Sequence, residues 1–166
     1  MTGRWDAFRK GGCFILPAGG KSEIARPLAI ASGLGIPAMI AFDCDGDKIT
    51  HSDANTAASR EAKHKKDNET LMRLCGCAVE PFPQTIMWHA NMVAWPHDMG
   101  AALKASVGVD LWQSLGSAAS AALGNAPDLQ KNTMHITERL AGAFDKGVAI
   151  EPLDALCQAI VDFAAT

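Results

Sequence analysis

Apolar residues in this chain follow two rhythms, a continuous short run and a recurrence at every third or fourth position. Gly12 to Ala18 (GCFILPA) and Pro37 to Phe42 are short apolar runs bounded by Gly and Pro, the pattern of buried strands. Between them Ile24, Leu28, Ala31 and Leu34 recur at helical spacing. Pro27 lies near the start of that helix, and Gly33 and Gly35 offer its stop. The turn Gly19-Gly20-Lys21-Ser22 joins the first run to the helix. These pieces predict a strand-turn-helix-strand unit with parallel strands and a right-handed crossover. Asp53 to Leu74 is polar and charged and reads as a largely solvated helix, its Arg60, Lys63, His64, Lys65 and Lys66 forming either a solvated face or a phosphate-contacting patch. Thr85 to Trp88 and Met92 to Trp95 read as two short strands around His89-Ala90-Asn91. The remainder is alanine-rich and helical. Leu111, Leu115, Ala118 and Ala122 predict one stripe, Ile136, Leu140 and Phe144 a second, and Leu153, Leu156, Ile160 and Phe163 a third behind Pro152. The expectation is an α/β fold in a single domain spanning 1–166, with a sheet core over about 11–100 and a helical part over about 101–166.

The 166 residues suffice for one domain with a real core, and 48% hydrophobic against 20% charged residues is a globular composition. No apolar run reaches the length of a membrane span, and Met1 to Gly12 lacks the apolar centre of a secretory signal, so no membrane association is expected. A net charge of −3 argues against gripping nucleic acid through total charge, but leaves room for a local basic face or metal-mediated phosphate contacts. The five cysteines are odd in number and contain no CxxC pair, which fits reduced thiols in the cytoplasm.

The densest chemistry is Phe42-Asp43-Cys44-Asp45-Gly46-Asp47, at the end of the second apolar run. Residues i and i+2 of an extended chain point to one side, so Asp43 and Asp45 are expected to project together. Like charges that close repel unless one takes a proton or a cation sits between them, and a hard divalent ion such as Mg²⁺ or Mn²⁺ answers that need. An EF-hand is excluded, because its sixth position would be Lys48 and its twelfth Ala54. The Gly19-Gly20-Lys21 turn offers backbone N–H groups to a phosphate. It is not a Walker A loop, because the first glycine of that motif would fall on Ile15.

Taken together, strand-AGGKSE-helix-LGIP-strand-DCDGD resembles the Toprim domain, the metal-binding module of topoisomerases, primases and related nucleases. The phrase "GGKSEI…LGIPAMIAFDCDGD" is most similar to the Toprim region of the OLD (overcoming lysogenization defect) family of ATP-dependent endonucleases, over the first half of the chain. The resemblance implies a Rossmann-like parallel sheet flanked by helices and a Mg²⁺- or Mn²⁺-dependent DNA endonuclease. In that family the nuclease works with an ATPase domain or subunit and can form a homo-oligomer. It implies metal ligands at Asp43 and Asp45, with Asp43 catalytic, and at Glu23. Asp47 and Asp98 are the further acids that would serve as metal ligands, and Lys131 matches a late catalytic lysine that would stabilise a pentavalent phosphorane. The glutamate that usually ends the first strand falls on Gly19, where it is missing.

Two other readings stay open. AFDCDGD is also similar to the DxDG motif of haloacid-dehalogenase phosphatases, in which Asp43 attacks phosphate and Asp45 serves as acid and base; here Asp47 replaces the usual Thr or Val. The loss at Gly19 alternatively marks a non-catalytic Toprim module that binds metal or a partner. Covalent topoisomerase chemistry is excluded, because the chain contains no tyrosine. His89 and His97, flanking strand ends, are candidates for proton transfer.

Overall fold

A computed structural model describes residues 2–50, 53–124 and 132–166. The chain forms two compact units, Met1–Met99 with Leu156–Thr166, and Gly100–Ala155. The first unit contains α1 (Thr2–Lys10), a short 3-10 turn (Lys21–Glu23), α2 (Ala25–Gly33), β1 (Ile40–Asp43), α3 (Ala54–Leu74), β2 (Met87–His89) and β3 (Met92–Trp95). The three strands form one sheet in the order β1-β3-β2. The architecture is therefore mixed α/β, and among the described residues no helix is long and apolar enough to cross a membrane.

β3 is the central strand and all four of its residues are buried. It pairs in parallel with β1, Ile40 opposite Met92 through Asp43 opposite Trp95, and in antiparallel with β2. β1 alternates, with Ile40 and Phe42 turned into the core and Ala41 exposed. Behind the sheet lie Leu28 of α2 and Leu71, Met72 and Cys75 at the end of α3. On α3 the buried set Asn68, Leu71, Met72 and Cys75 has the i, i+3, i+4, i+7 spacing of an inward face. The solvated reading of that helix holds for Arg60, Lys63, Lys65 and Lys66, which are exposed. Asp53 caps it, its carboxylate accepting from the Thr56 N–H at 2.7 Å.

The expected first strand is a correction. Gly12 to Ala18 carries no ladder among the described residues, and Phe14, Ile15 and Leu16 are 94%, 71% and 75% exposed. The Cys13 N–H is still held by the Phe8 carbonyl at the end of α1, and Pro17 has no N–H to give a ladder. The parallel partner of β1 is consequently β3, reached through α3 and the β2 turn, and not the segment before α2. The second expected strand begins later than Pro37, at Ile40. The two strands around His89-Ala90-Asn91 form the β2–β3 hairpin.

The second unit contains α4 (Met99–Val107) from Gly100 on, α5 (Val109–Leu123) and α6 (Thr133–Asp145). The last helix, α7 (Glu151–Ala164), starts there and ends in the first unit. The inward faces of α5 and α6 differ from the expected stripes. α5 buries Leu115, Gly116 and Ala119, leaving Ala118 and Ala122 exposed. α6 buries His135, Arg139 and Ala143, one residue before the expected Ile136, Leu140 and Phe144, which are half-buried. In α7 the expected stripe of Leu153, Leu156, Ile160 and Phe163 is half-buried throughout.

Candidate functional site

β1 and β3 run in parallel, so their C-terminal ends lie side by side, the place where α/β sheets present their chemistry. The pairing continues past the strands. Cys44 N–H donates to the Trp95 carbonyl at 2.8 Å, Gly46 N–H to the Pro96 carbonyl at 2.9 Å and Asp45 N–H to the His97 carbonyl at 3.1 Å. The approach at Gly46 is close enough to require glycine, since a Cβ there would lie 2.9 Å from the Pro96 oxygen. Two loops are thus zipped together, one carrying Asp43, Asp45 and Asp47, the other His97 and Asp98.

Asp45 adopts φ +57°, a left-handed conformation that Asp tolerates better than most residues. The strand's two-residue alternation ends there, and the Asp43 and Asp45 carboxylates find different partners. Asp43 Oδ1 accepts the Met99 N–H at 2.9 Å. Asp45 Oδ2 accepts from Lys21 Nζ at 2.8 Å, and Asp45 Oδ1 from Lys48 Nζ. Lys21 Nζ also donates to the Asp43 carbonyl at 2.8 Å, so one half-buried ammonium bridges both residues. His64 Nδ1 lies 3.3 Å from Asp45 Oδ2 without completing a hydrogen bond.

These contacts drive the two acids in opposite directions. Burial, with the nearby Asp98 and Asp45 charges, pushes the Asp43 carboxyl above the usual range against the pull of the Met99 N–H. Burial acts upward on Asp45 too, but the hydrogen bonds from Lys21 and Lys48 outweigh it and hold that carboxyl below the usual range. The same bond raises Lys48, while burial and the Lys21 charge lower His64.

The sequence candidates fall into three sets. Asp43, Asp45 and Lys21 meet in a cleft of about 300 Å³ whose wall includes Gly19, Gly20, Ile24 and Ala41. Asp98 is half-buried, near enough for its charge to act on Asp43. Asp47 is exposed at the rim, 3.9 Å from His97 Nδ1. Glu23 is exposed in the 3-10 turn, and among the described residues no bond of the cluster reaches it. His89 is exposed and bonded to Asn91. Lys131 lies outside the described residues.

Gly19 has φ +76°, so a glutamate at that position would sit on strained backbone. Lys48, His64 and the Met99 N–H are participants that sequence reasoning missed. Of these only Lys48, three residues from Asp45 in the same turn, left a signal in the sequence.

As a metal site the arrangement is sparse. Among the described residues no group of three or more His, Cys, Asp or Glu side chains is gathered to hold an ion. Both Asp45 oxygens are taken by ammonium groups. Asp43, bonded through Oδ1 to the Met99 N–H, feels the Asp98 charge, and two carboxylates would fit a Mg²⁺ ion that completes its shell with water and substrate phosphate. No family model, curated protein or solved structure matches this chain.

Proposed function

We propose that the strand-end cleft is a Toprim-type site that hydrolyses a phosphodiester of DNA with Mg²⁺ or Mn²⁺, working with an ATPase domain or subunit. The observation that carries this reading is the crowding of Asp43 by Asp98 at adjacent ends of parallel strands, a carboxylate pair whose repulsion a dication relieves. When bound, the ion supplies the Lewis acid that stabilises charge on the phosphate oxygens. Asp43 and Asp98 would hold it. Lys21 fixes the orientation of Asp45 and of the Asp43 main chain. Lys48, half-exposed, offers its charge to a phosphate drawn across the cleft. His97, exposed beside Asp47, is the group positioned to pass a proton to or from solvent.

A second reading has its own support. The Lys21 ammonium occupies a position between Asp43 and Asp45 that suits a cation, and Gly19 lacks the expected glutamate. Both features favour a module that binds its partner without cutting. The phosphatase reading has less support, because Asp47 stands where its DxDG motif carries Thr or Val.

Nicking of supercoiled plasmid with Mn²⁺, beside calorimetric Mn²⁺ binding, separates these readings. The nuclease reading expects cleavage that falls at least about 100-fold in Asp43→Asn and Asp98→Asn. Mn²⁺ binding that is lost in those variants, with no cleavage even beside an ATPase partner, selects the binding module. Absence of Mn²⁺ binding at millimolar concentration rejects the metal site altogether.

A further inference from the structure

A second polar constellation lies within the unit Gly100–Ala155. Arg139 on α6 is 9% exposed. Its guanidinium carbon lies 5.0 Å from the centre of the Trp112 ring on α5, and its Nε donates to His135 Nδ1 at 3.1 Å. Among the described residues no carboxylate pairs with it. A buried, unpaired guanidinium is costly, and stacking on one indole offsets only part of that cost. The arrangement is nevertheless built for it. A Cβ at Gly116 would lie 2.6 Å from Arg139 Nη2, so α5 carries glycine where the guanidinium crosses it.

The guanidinium opens onto a cavity of about 700 Å³. Lys104 of α4 brings a second cation to the same cavity, and Gln113, Ser117 and Ser120 add neutral polar groups. No acid is among the described residues that line it. Two cations around one polar cavity repel each other unless an anion sits between them.

The histidine decides what Ser120 can do. Arginine Nε can only donate, so His135 Nδ1 must accept, and the ring hydrogen resides on Nε2. That Nε2 lies 3.1 Å from Ser120 Oγ and therefore donates to it. His135 holds no free lone pair toward the serine, which rules out a serine–histidine nucleophile. The serine hydroxyl hydrogen is left to point at a ligand in the cavity. His135, fully buried, thus positions both Arg139 and Ser120.

We infer that this cavity binds a phosphate dianion, free or carried on a small organic molecule, between Arg139 and Lys104. The planar guanidinium gives two parallel N–H donors to phosphate oxygens, the ammonium a point charge, and Ser120 a hydroxyl donor. A dianion matches two cations better than a monoanionic carboxylate does.

Calorimetric titration of the full chain with inorganic phosphate, with a nucleoside monophosphate and with acetate tests this. Saturable phosphate binding is expected, and acetate should bind at least about tenfold more weakly. Tighter binding of the nucleoside monophosphate identifies an organic phosphate as the ligand, and equal binding identifies free phosphate. Lys104→Gln removes one charge, Arg139→Lys removes the fork, and Gly116→Ala pushes the guanidinium aside while changing only one methyl group. Each variant, with its helix content verified by circular dichroism, should weaken phosphate binding about tenfold or more. Lys65→Gln, an exposed cation of the other unit, should leave it unchanged. The inference is overturned if the wild type binds no phosphate at millimolar concentration, or if acetate binds as well. Unaltered binding by Lys104→Gln and Gly116→Ala, or loss of binding in Lys65→Gln, overturns it equally.

Discussion

At Asp43 and Asp45, two residues apart, the same side chain is pulled toward opposite protonation states. Asp45 has its carboxyl held below the ordinary value of 3.8 by two ammonium groups, so its contribution to stability is complete above about that pH and is lost as pH falls through the folded-state value. Asp43 has its carboxyl raised, so the unfolded chain releases that proton first, and native stability declines as pH climbs from 3.8 through the folded-state value. Asp45→Asn should therefore cost about 1–3 kcal/mol near neutral pH, by leaving the half-buried Lys21 short of its anion. It should also flatten the acid limb of the stability curve. Asp43→Asn keeps an acceptor for the Met99 N–H and should raise the melting temperature near neutral pH, at the expense of metal binding. Urea titrations between pH 3 and pH 7 test both signs; equal responses of the two variants would contradict the electrostatics. At this scale the sequence was informative about the acids, while Lys21, read only as part of a phosphate turn, reaches Asp45 from 24 residues away. It was silent about Met99, the first residue of α4, and named His64 only within the basic face of α3, with no link to Asp45.

Single side chains also decide how the elements join. Asn68, fully buried on the inner face of α3, donates through Nδ2 to the carbonyl of Cys44 at 2.9 Å and to that of Pro81 at 2.6 Å. It ties the helix to the turn that carries Asp45. Asn68→Leu strips both carbonyls of their donor and should lower stability by about 2–4 kcal/mol, read from the urea midpoint. A change below about 0.5 kcal/mol would show that solvent replaces the amide. Pattern reading found the strand at Met92–Trp95, and found β1 with its start three residues early at Pro37, because their residues are buried by their own sheet. It failed at Phe14-Ile15-Leu16 because apolarity states only that a segment can be buried; Pro17 and the lack of a paired neighbour decide otherwise. On α6 it placed the inner face one residue late, because hydropathy assigns His135 and Arg139 to solvent. Their partners Ser120 and Trp112 belong to another helix, and such a pairing leaves no trace in local periodicity.

Across the whole molecule the cysteines offer a reporter. All five are free. Burial pushes the Cys44 thiol up to about 12 and, with Cys77 nearby, the Cys75 thiol up to about 11, so neither presents thiolate near neutral pH. An aromatic disulfide reagent should consume the half-exposed Cys13 and Cys157 first and Cys44 only as fast as its unit opens. Mass mapping of a time course tests this order; early labelling of Cys44 would mean that the strand end breathes independently of the core.

The Lys21 ammonium is leashed by its own side chain to the glycine turn that walls the cleft. A free dication that evicted it would at once untether that turn, making ion exchange and loop release a single mechanical event, with the cleft widening only in the company of its metal.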